Sequence, residues 1–278
     1  MFSNRTLLIV TKHRKEQVLA PLFEKALGVK CIVADKYDTD ALGTFSGETE
    51  RKDDAYTTAR KKCHEAMDLY GCDLAIASEG SFGPHPAIFM APADDELVLF
   101  IDRKNGLEIY ARELSLNTNF NASEINNREE LDAFLNRVKF PSHGVIVKKE
   151  QHNTEGMVKG ITSPDLLYPL FDGLLGQNGS VFLETDMRAM HNPTRMEVIA
   201  TAARKLAAKI SSLCPQCSTP GFDITAAEPG LPCGQCRYPT ASVLRYVYSC
   251  SKCSYTKEEL YPHNKKYEDP MYCDMCNP

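Results

Sequence analysis

The sequence contains no hydrophobic run approaching the roughly 20 apolar residues that a membrane-spanning helix needs, and it has no excess of basic charge. Lysine and arginine number 32 against 37 aspartates and glutamates, a formal net charge of −5. Sequence-independent grip on a phosphate backbone requires a concentrated basic face, so this balance argues against it. The opening residues, MFSNRTLLIVTKHRK, hold only a brief apolar segment and no small-residue cleavage site. They do not read as a secretion signal, and a cytoplasmic location is the expectation. Internal repeats and low-complexity tracts are lacking over residues 1–210. A hydrophobic fraction of 43% with 25% charged residues is that of an ordinary globular chain and excludes a disordered class. At 278 residues there is room for one full domain and a small second one.

Strand and helix signals alternate through the larger part. Thr6 to Val10 reads as a strand, Glu16 to Leu27 as an amphipathic helix, and Val29 to Ala34 as a second strand. Two β-rich runs, Leu97 to Asp102 and Leu107 to Leu114, flank Asn105-Gly106, a strong hairpin signal. Helices follow at Glu129 to Val138, Ser163 to Leu175 and Thr194 to Ile210, with short strands at Gly144 to Val147 and Val181 to Leu183. The reading is an α/β fold, one mixed sheet with flanking helices, over residues 1–210.

The stretch from Gly43 to Pro86 concentrates the chemistry. From Asp54 onward, Ala55, Ala59, Cys63, Ala66, Met67 and Tyr70 recur at helical spacing, and Gly71 is placed to stop that helix. Asp73 to Ala77 is an apolar run of buried-strand length, so Ser78-Glu79-Gly80-Ser81 falls at its carboxyl end. Open α/β sheets bind ligands at that end of their strands, where a carboxylate can hold a cation. Glu79 is therefore the first candidate. Thr11 to Lys15 and Glu184 to Arg195 also follow predicted strands and enter helices, which makes Thr11, Lys15, His191 and Arg195 candidates for binding phosphate.

Beyond residue 210 the composition changes to cysteine, proline and glycine. Eight of the eleven cysteines form the pairs Cys214/Cys217, Cys233/Cys236, Cys250/Cys253 and Cys273/Cys276, with 15, 13 and 19 residues between successive pairs. A C-x-x-C turn aims two thiolates at one ion, and two such turns close a tetrahedral site. Eight thiolates therefore imply two structural zinc ions in a zinc-ribbon-like domain over residues 211–278. Because the second and third pairs bracket the strand-like ASVLRYVYS, the favoured arrangement joins them around one ion, with the first and last pairs around the other. A sequential arrangement fits nearly as well. Six basic residues against seven acidic ones from Cys214 to Pro278 favour a protein partner or structural support over nucleic acid. Cys31, Cys63 and Cys72 sit in apolar or helical contexts and read as small buried hydrophobes.

Thr11-Lys-His-Arg-Lys15, Ala59-Arg-Lys-Lys62-Cys63, Ala77-Ser-Glu79-Gly-Ser and His191-Asn-Pro-Thr-Arg195 together resemble, in order and spacing, the inosine triphosphate pyrophosphatase-like superfamily, which includes the Maf proteins. The resemblance implies that Glu79 and Lys62 are catalytic, the first holding Mg²⁺ or Mn²⁺ and the second neutralising phosphate. The family's helix glutamate falls where Thr57 and Thr58 stand, so Glu48, Glu50, Asp53 or Asp54 would supply the second carboxylate. Nearly the whole chain, including SEGSFGPHP, ETDMRAMHNPTRM and the closing DPMYCDMCNP, is also similar to an uncharacterised bacterial family with the same zinc-bearing tail. The expectation is a metal-dependent hydrolase of a nucleotide or related phosphate compound. The alternative is a non-catalytic nucleotide- or partner-binding module whose zinc domain contacts protein or nucleic acid.

Overall fold

β1 (Thr6–Val10), α1 (Glu16–Leu27) and β2 (Lys30–Val33) form the first strand-helix-strand unit. In α1 the side chains of Leu19, Phe23 and Leu27 recur every four residues on one face, and all three are buried. Gly28 ends the helix in the left-handed region at φ 66°, which its missing Cβ permits. The computed structural model describes residues 1–37 and 53–278. Glu48 and Glu50 lie outside the described residues.

α2 (Ala55–Tyr70) is capped by Asp54, whose carboxylate accepts from the Thr57 backbone N–H at 2.9 Å, and is stopped by left-handed Gly71. Its Ala59, Cys63, Ala66 and Met67 pack on Ala75, Ala77 and Leu99 of the sheet. That sheet has the order β2-β1-β3-β4-β5, with β3 (Leu74–Pro84), β4 (Pro92–Asp102) and β5 (Leu107–Ser115). β1 runs parallel to β2 and β3, and the remaining pairs are antiparallel. Gly106 turns the β4–β5 hairpin at φ 64°. The strand expected to end at Ala77 continues through Glu79 to Pro84, because β4 pairs with it residue for residue from Leu74↔Asp102 to Pro84↔Pro92. Pairing with β1 does stop at Ala77. Glu79 thus stands beyond the end of β1 but inside β3.

A second, wholly antiparallel sheet of order β6-β9-β7-β8 contains β6 (Ala122–Ile125), β7 (Val145–Lys148), β8 (Val158–Ile161) and β9 (Val181–Thr185). The single mixed sheet expected from the sequence is therefore two sheets. β6 and β8 are four residues long and interrupted by polar residues or glycine, too short for a period to register. α3 (Arg128–Arg137) and α4 (Pro164–Asn178) cover this sheet, placing Leu131, Phe134, Leu167 and Phe171 against Val145, Val147 and Leu183.

α5 (Pro193–Ser211) follows, and then β10 (Asp223–Pro229), β11 (Val243–Ser249) and β12 (Thr256–Leu260) form an antiparallel meander. The chain divides into two compact units, Met1–Ala207 and Ala208–Pro278. The division falls within α5, whereas the composition change placed it after Ile210. Among the described residues no helix is long and apolar enough to cross a membrane.

Candidate functional site

In the second unit the eight paired cysteines gather into two groups, Cys214, Cys217, Cys250 and Cys253, and Cys233, Cys236, Cys273 and Cys276. Each group could hold a metal ion, its sulfurs lying within 4.8 Å of one another. Cross-pair Sγ···Sγ distances are 3.6 Å for Cys214–Cys253 and Cys217–Cys250, and 3.8 and 3.5 Å for Cys233–Cys276 and Cys236–Cys273. Tetrahedral zinc with bonds of about 2.3 Å sets its sulfurs about 3.8 Å apart, and disulfides at about 2 Å are excluded. The turns are built alike. Ser218, Arg237 and Ser254, each following the second cysteine of a pair, adopt positive φ, and their N–H groups donate to the carbonyls of Cys214, Cys233 and Cys250. The Thr219 hydroxyl pulls the Cys217 thiol down to about 6, and backbone N–H donation, from Cys236 first, brings Cys233 to about 7.

The grouping corrects the expected pairing: first joins third, and second joins fourth. A three-stranded meander dictates this. The first pair precedes β10 and the third occupies the β11–β12 turn, so both lie at one end of the sheet. The second pair sits in the β10–β11 connection and the fourth follows β12, at the other end. β10, with the sequence DITAAEP, gives no strand signal, and without it the alternation of ends is invisible.

In the first unit two clusters occupy opposite faces of β3. On the α2 face, Lys62 Nζ lies 2.6 Å from Glu79 Oε1, with both side chains buried. On the other face, Lys15 Nζ donates to the Ser78 carbonyl at 3.2 Å and contacts its hydroxyl at 3.0 Å. Lys15 is not a solvated lysine at a helix start. It is buried, and that burial, followed by the nearby Arg195 charge, lowers its pKa to about 8. Residues 78, 80, 94 and 96 share this face, since Gly80 pairs with Glu96 and Phe82 with Asp94. Arg195, at the start of α5, is fully buried and donates from Nε to Glu96 Oε1 at 2.6 Å and from Nη1 to the Met187 carbonyl. A Cβ on Gly80 would overlap the Glu96 carboxylate and come within 2.8 Å of Arg195 Nη2. The absence of that atom makes room for the pair.

Asp186 accepts from the Arg188 guanidinium at 2.6 Å and from the Arg188 N–H at 3.0 Å. His191, in a 3-10 turn spanning Ala189–His191, packs against Gly144 and Gly160, where a Cβ would lie 2.9 Å from its Cβ and 2.7 Å from its Nε2. Burial lowers its pKa, with Asp186, Arg188 and Arg14 in its field. Beside these residues opens a cavity of about 500 Å³, walled by Phe82, Phe120, Phe182 and Met187 and edged by Asp186 and Arg188. Phe82 and Phe120 stack with centroids 5.7 Å apart, and Arg195 lies over Phe82.

The structure therefore brings Lys62 to Glu79, Lys15 to Ser78, and Arg195 to Glu96, with the Lys62–Glu79 pair across the sheet from the other two. Thr11 turns its hydroxyl to the Lys12 carbonyl. Asp54 is engaged as the α2 cap and Asp53 pairs with Lys61. Asp94 and Glu96 escaped the sequence reading because Pro92 to Glu96 resembles a solvated acidic loop. The available signal was their spacing: carboxylates two apart, leading directly into an apolar strand, share one of its faces. Of the three cysteines read as buried, Cys63 is, whereas Cys31 and Cys72 are half-buried. Desolvation pushes the Cys31 thiol up to about 11 and Cys63 higher still, which disfavours the thiolate in both.

A search of curated proteins finds no match to this chain. The profile of one protein family matches residues 62–278, which include Lys62, Glu79, Asp94, Glu96, Arg195 and all eight paired cysteines. The chain belongs to that family, described as a domain of unknown function (DUF6671).

Proposed function

We propose that the unit Met1–Ala207 hydrolyses a nucleotide or related phosphate compound with the help of a divalent cation, and that Ala208–Pro278 is a structural module holding two zinc ions. The observation that carries the reading is the buried Lys62–Glu79 pair just beyond the carboxyl end of β1, with buried Lys15 across β3 from it and within reach of its charges. Burial of Lys15, Lys62 and Glu79 makes their charges act through protein rather than water. The ammonium held 2.6 Å from Glu79 marks a position suited to a cation. On this reading Lys62 would pair with the phosphate of the substrate and Glu79 would hold Mg²⁺ or Mn²⁺, which would supply Lewis-acid stabilisation of phosphate charge. Lys15 adds positive charge from the β1–α1 turn. The likeness of Thr11 to Lys15 and of Ala77 to Ser81 to the inosine triphosphate pyrophosphatase-like motifs supports the same assignment. A reducing, cytoplasmic setting belongs to it as well, since eight thiols persist there as metal ligands.

The test is turnover of a panel of nucleoside triphosphates with Mg²⁺ or Mn²⁺, reading released phosphate and pyrophosphate. Metal-dependent release from at least one member is expected. A second reading, a non-catalytic module that binds nucleotide and uses the zinc unit to meet a partner protein, is favoured by one observation. Among the described residues the only groups of three or more metal-ligating side chains are the two cysteine sets. Nucleotide binding without turnover would select it.

A further inference from the structure

Asp94 and Glu96 point the same way from β4, two residues apart, and both are 0% exposed. Glu96 Oε1 receives Arg195 Nε, but among the described residues neither Asp94 oxygen nor Glu96 Oε2 meets a donor. Residues two apart on a strand project from the same face, so these two carboxyl groups are neighbours, and the negative charge of Glu96 acts on Asp94. A pair of carboxylates offers acceptors alone, and leaving buried acceptors without donors is unfavourable. One bound proton removes the conflict, because a protonated carboxyl becomes a donor.

We infer that Asp94 and Glu96 form a buried proton-binding site in which Asp94 carries the proton at neutral pH and donates it to Glu96 Oε2. The alternative occupant, a divalent cation, fits poorly. Lys15 from the β1–α1 turn and Arg195 from α5 already face the pair, and a further double charge would stand against both. The charged groups around Asp94 are Glu96 on its own strand, Arg195 and Lys15, with Lys62 and Glu79 acting on Lys15 from across the sheet. Burial first, and Glu96 second, raise Asp94 from its ordinary 3.8 to about 8. The proton completes a chain from Asp94 to Glu96, to Arg195, to the Met187 carbonyl, and Met187 lines the cavity. The site stands whether or not the unit hydrolyses phosphate.

The experiment is a pH titration of the full-length protein carrying ¹³C-labelled aspartate carboxyls, beside Asp94→Asn. An Asn amide can donate to Glu96 as the protonated acid does. One Asp carboxyl titrating near pH 8 in the parent and missing from Asp94→Asn is expected, and the melting-temperature gain of the variant over the parent should grow as pH rises from about 5 to about 8. No Asp carboxyl titrating above about pH 6 in the parent overturns the inference even if the variant fails to fold. A gain that does not change with pH also overturns it. So does Mg²⁺ or Mn²⁺ alone raising the melting temperature of the parent but not of the variant, which would make the pair a metal site.

Discussion

Lys62 reaches from the middle of α2 to Glu79 in β3, and the two side chains form a buried ion pair 2.6 Å long. Removing either partner strands the other charge, which typically costs about 3–5 kcal/mol. Glu79→Gln and Lys62→Met should each lower the melting temperature markedly, and the double variant should lose less than the sum of the two. If the proposed hydrolysis is correct, Glu79→Gln also abolishes turnover under conditions where the variant remains folded. A double-mutant cycle by thermal melting, with turnover measured below the lowest transition, separates the two effects. Additive losses would show that the pair is not coupled.

Gly80 and Gly83 lie on the same strand and differ in what surrounds them. A methyl at Gly80 would overlap the Glu96 carboxylate and crowd Arg195, and both are fully buried, whereas one at Gly83 meets nothing within 4 Å. Gly80→Ala should destabilise by about 1–3 kcal/mol, the usual cost of overpacking. Gly83→Ala should stay within about 0.5 kcal/mol of the parent, like other surface changes. Denaturant unfolding of the two variants checks the contrast, and equal effects would refute the described packing around Glu96.

The grouping of cysteines makes a stoichiometric prediction. Cys217 and Cys253 belong to one group, so the double variant Cys217→Ser with Cys253→Ser should lose one zinc and keep the other. Under either arrangement read from the sequence, those two cysteines would serve different ions and the double variant would keep none. Cys217→Ser with Cys236→Ser should lose both, because those residues belong to separate groups. Zinc per chain measured by elemental analysis decides between the arrangements.

Much of the first unit was legible because its elements carry strong local signals. α1 and α2 show clear apolar spacing, and Gly28 and Gly71 stop them in the left-handed region. The Asn105-Gly106 turn sets the β4–β5 hairpin. What the sequence hides is pairing at a distance. β3 runs on past Ala77 only because β4 is there to pair with it, and the polar strand β10 decides which cysteines meet. The cluster of Asp94, Glu96 and Arg195 joins residues 99 positions apart, and no local pattern reports such a contact. The eight cysteines stood out because C-x-x-C is the spacing that metal ligation requires. Their partners did not, because spacing says nothing about which end of a sheet a turn occupies.

His143 supplies a pH dependence whose sign follows from its hydrogen bonds. Its Nε2 accepts the Thr194 backbone N–H at 3.2 Å, at the start of α5, and its Nδ1 lies 2.9 Å from the Ser142 hydroxyl, which itself donates to the Lys139 carbonyl. Nε2 also lies 2.8 Å from the Thr194 hydroxyl, which can donate to it, so the Thr194 N–H and hydroxyl together favour a neutral ring with the proton on Nδ1. A second proton on Nε2 would oppose the Thr194 donor and the positive end of the helix. Burial first, and the Lys139 charge second, hold its pKa below the ordinary 6.5. Between the folded value and 6.5 the unfolded chain binds more protons than the folded one, so stability rises with pH in that window and is lost as pH falls through it. Burial lowers His191 as well, adding to the same slope, while the raised Asp94 acts in the opposite sense between 3.8 and about 8. Comparison with His143→Gln, whose side-chain oxygen can still accept the Thr194 N–H, isolates the His143 contribution. The variant should lose less melting temperature than the parent between about pH 7 and pH 5. Parallel curves for the two proteins would mean that His143 takes up its proton as readily in the folded chain as in the unfolded one, and the assignment of its ring nitrogens would fall.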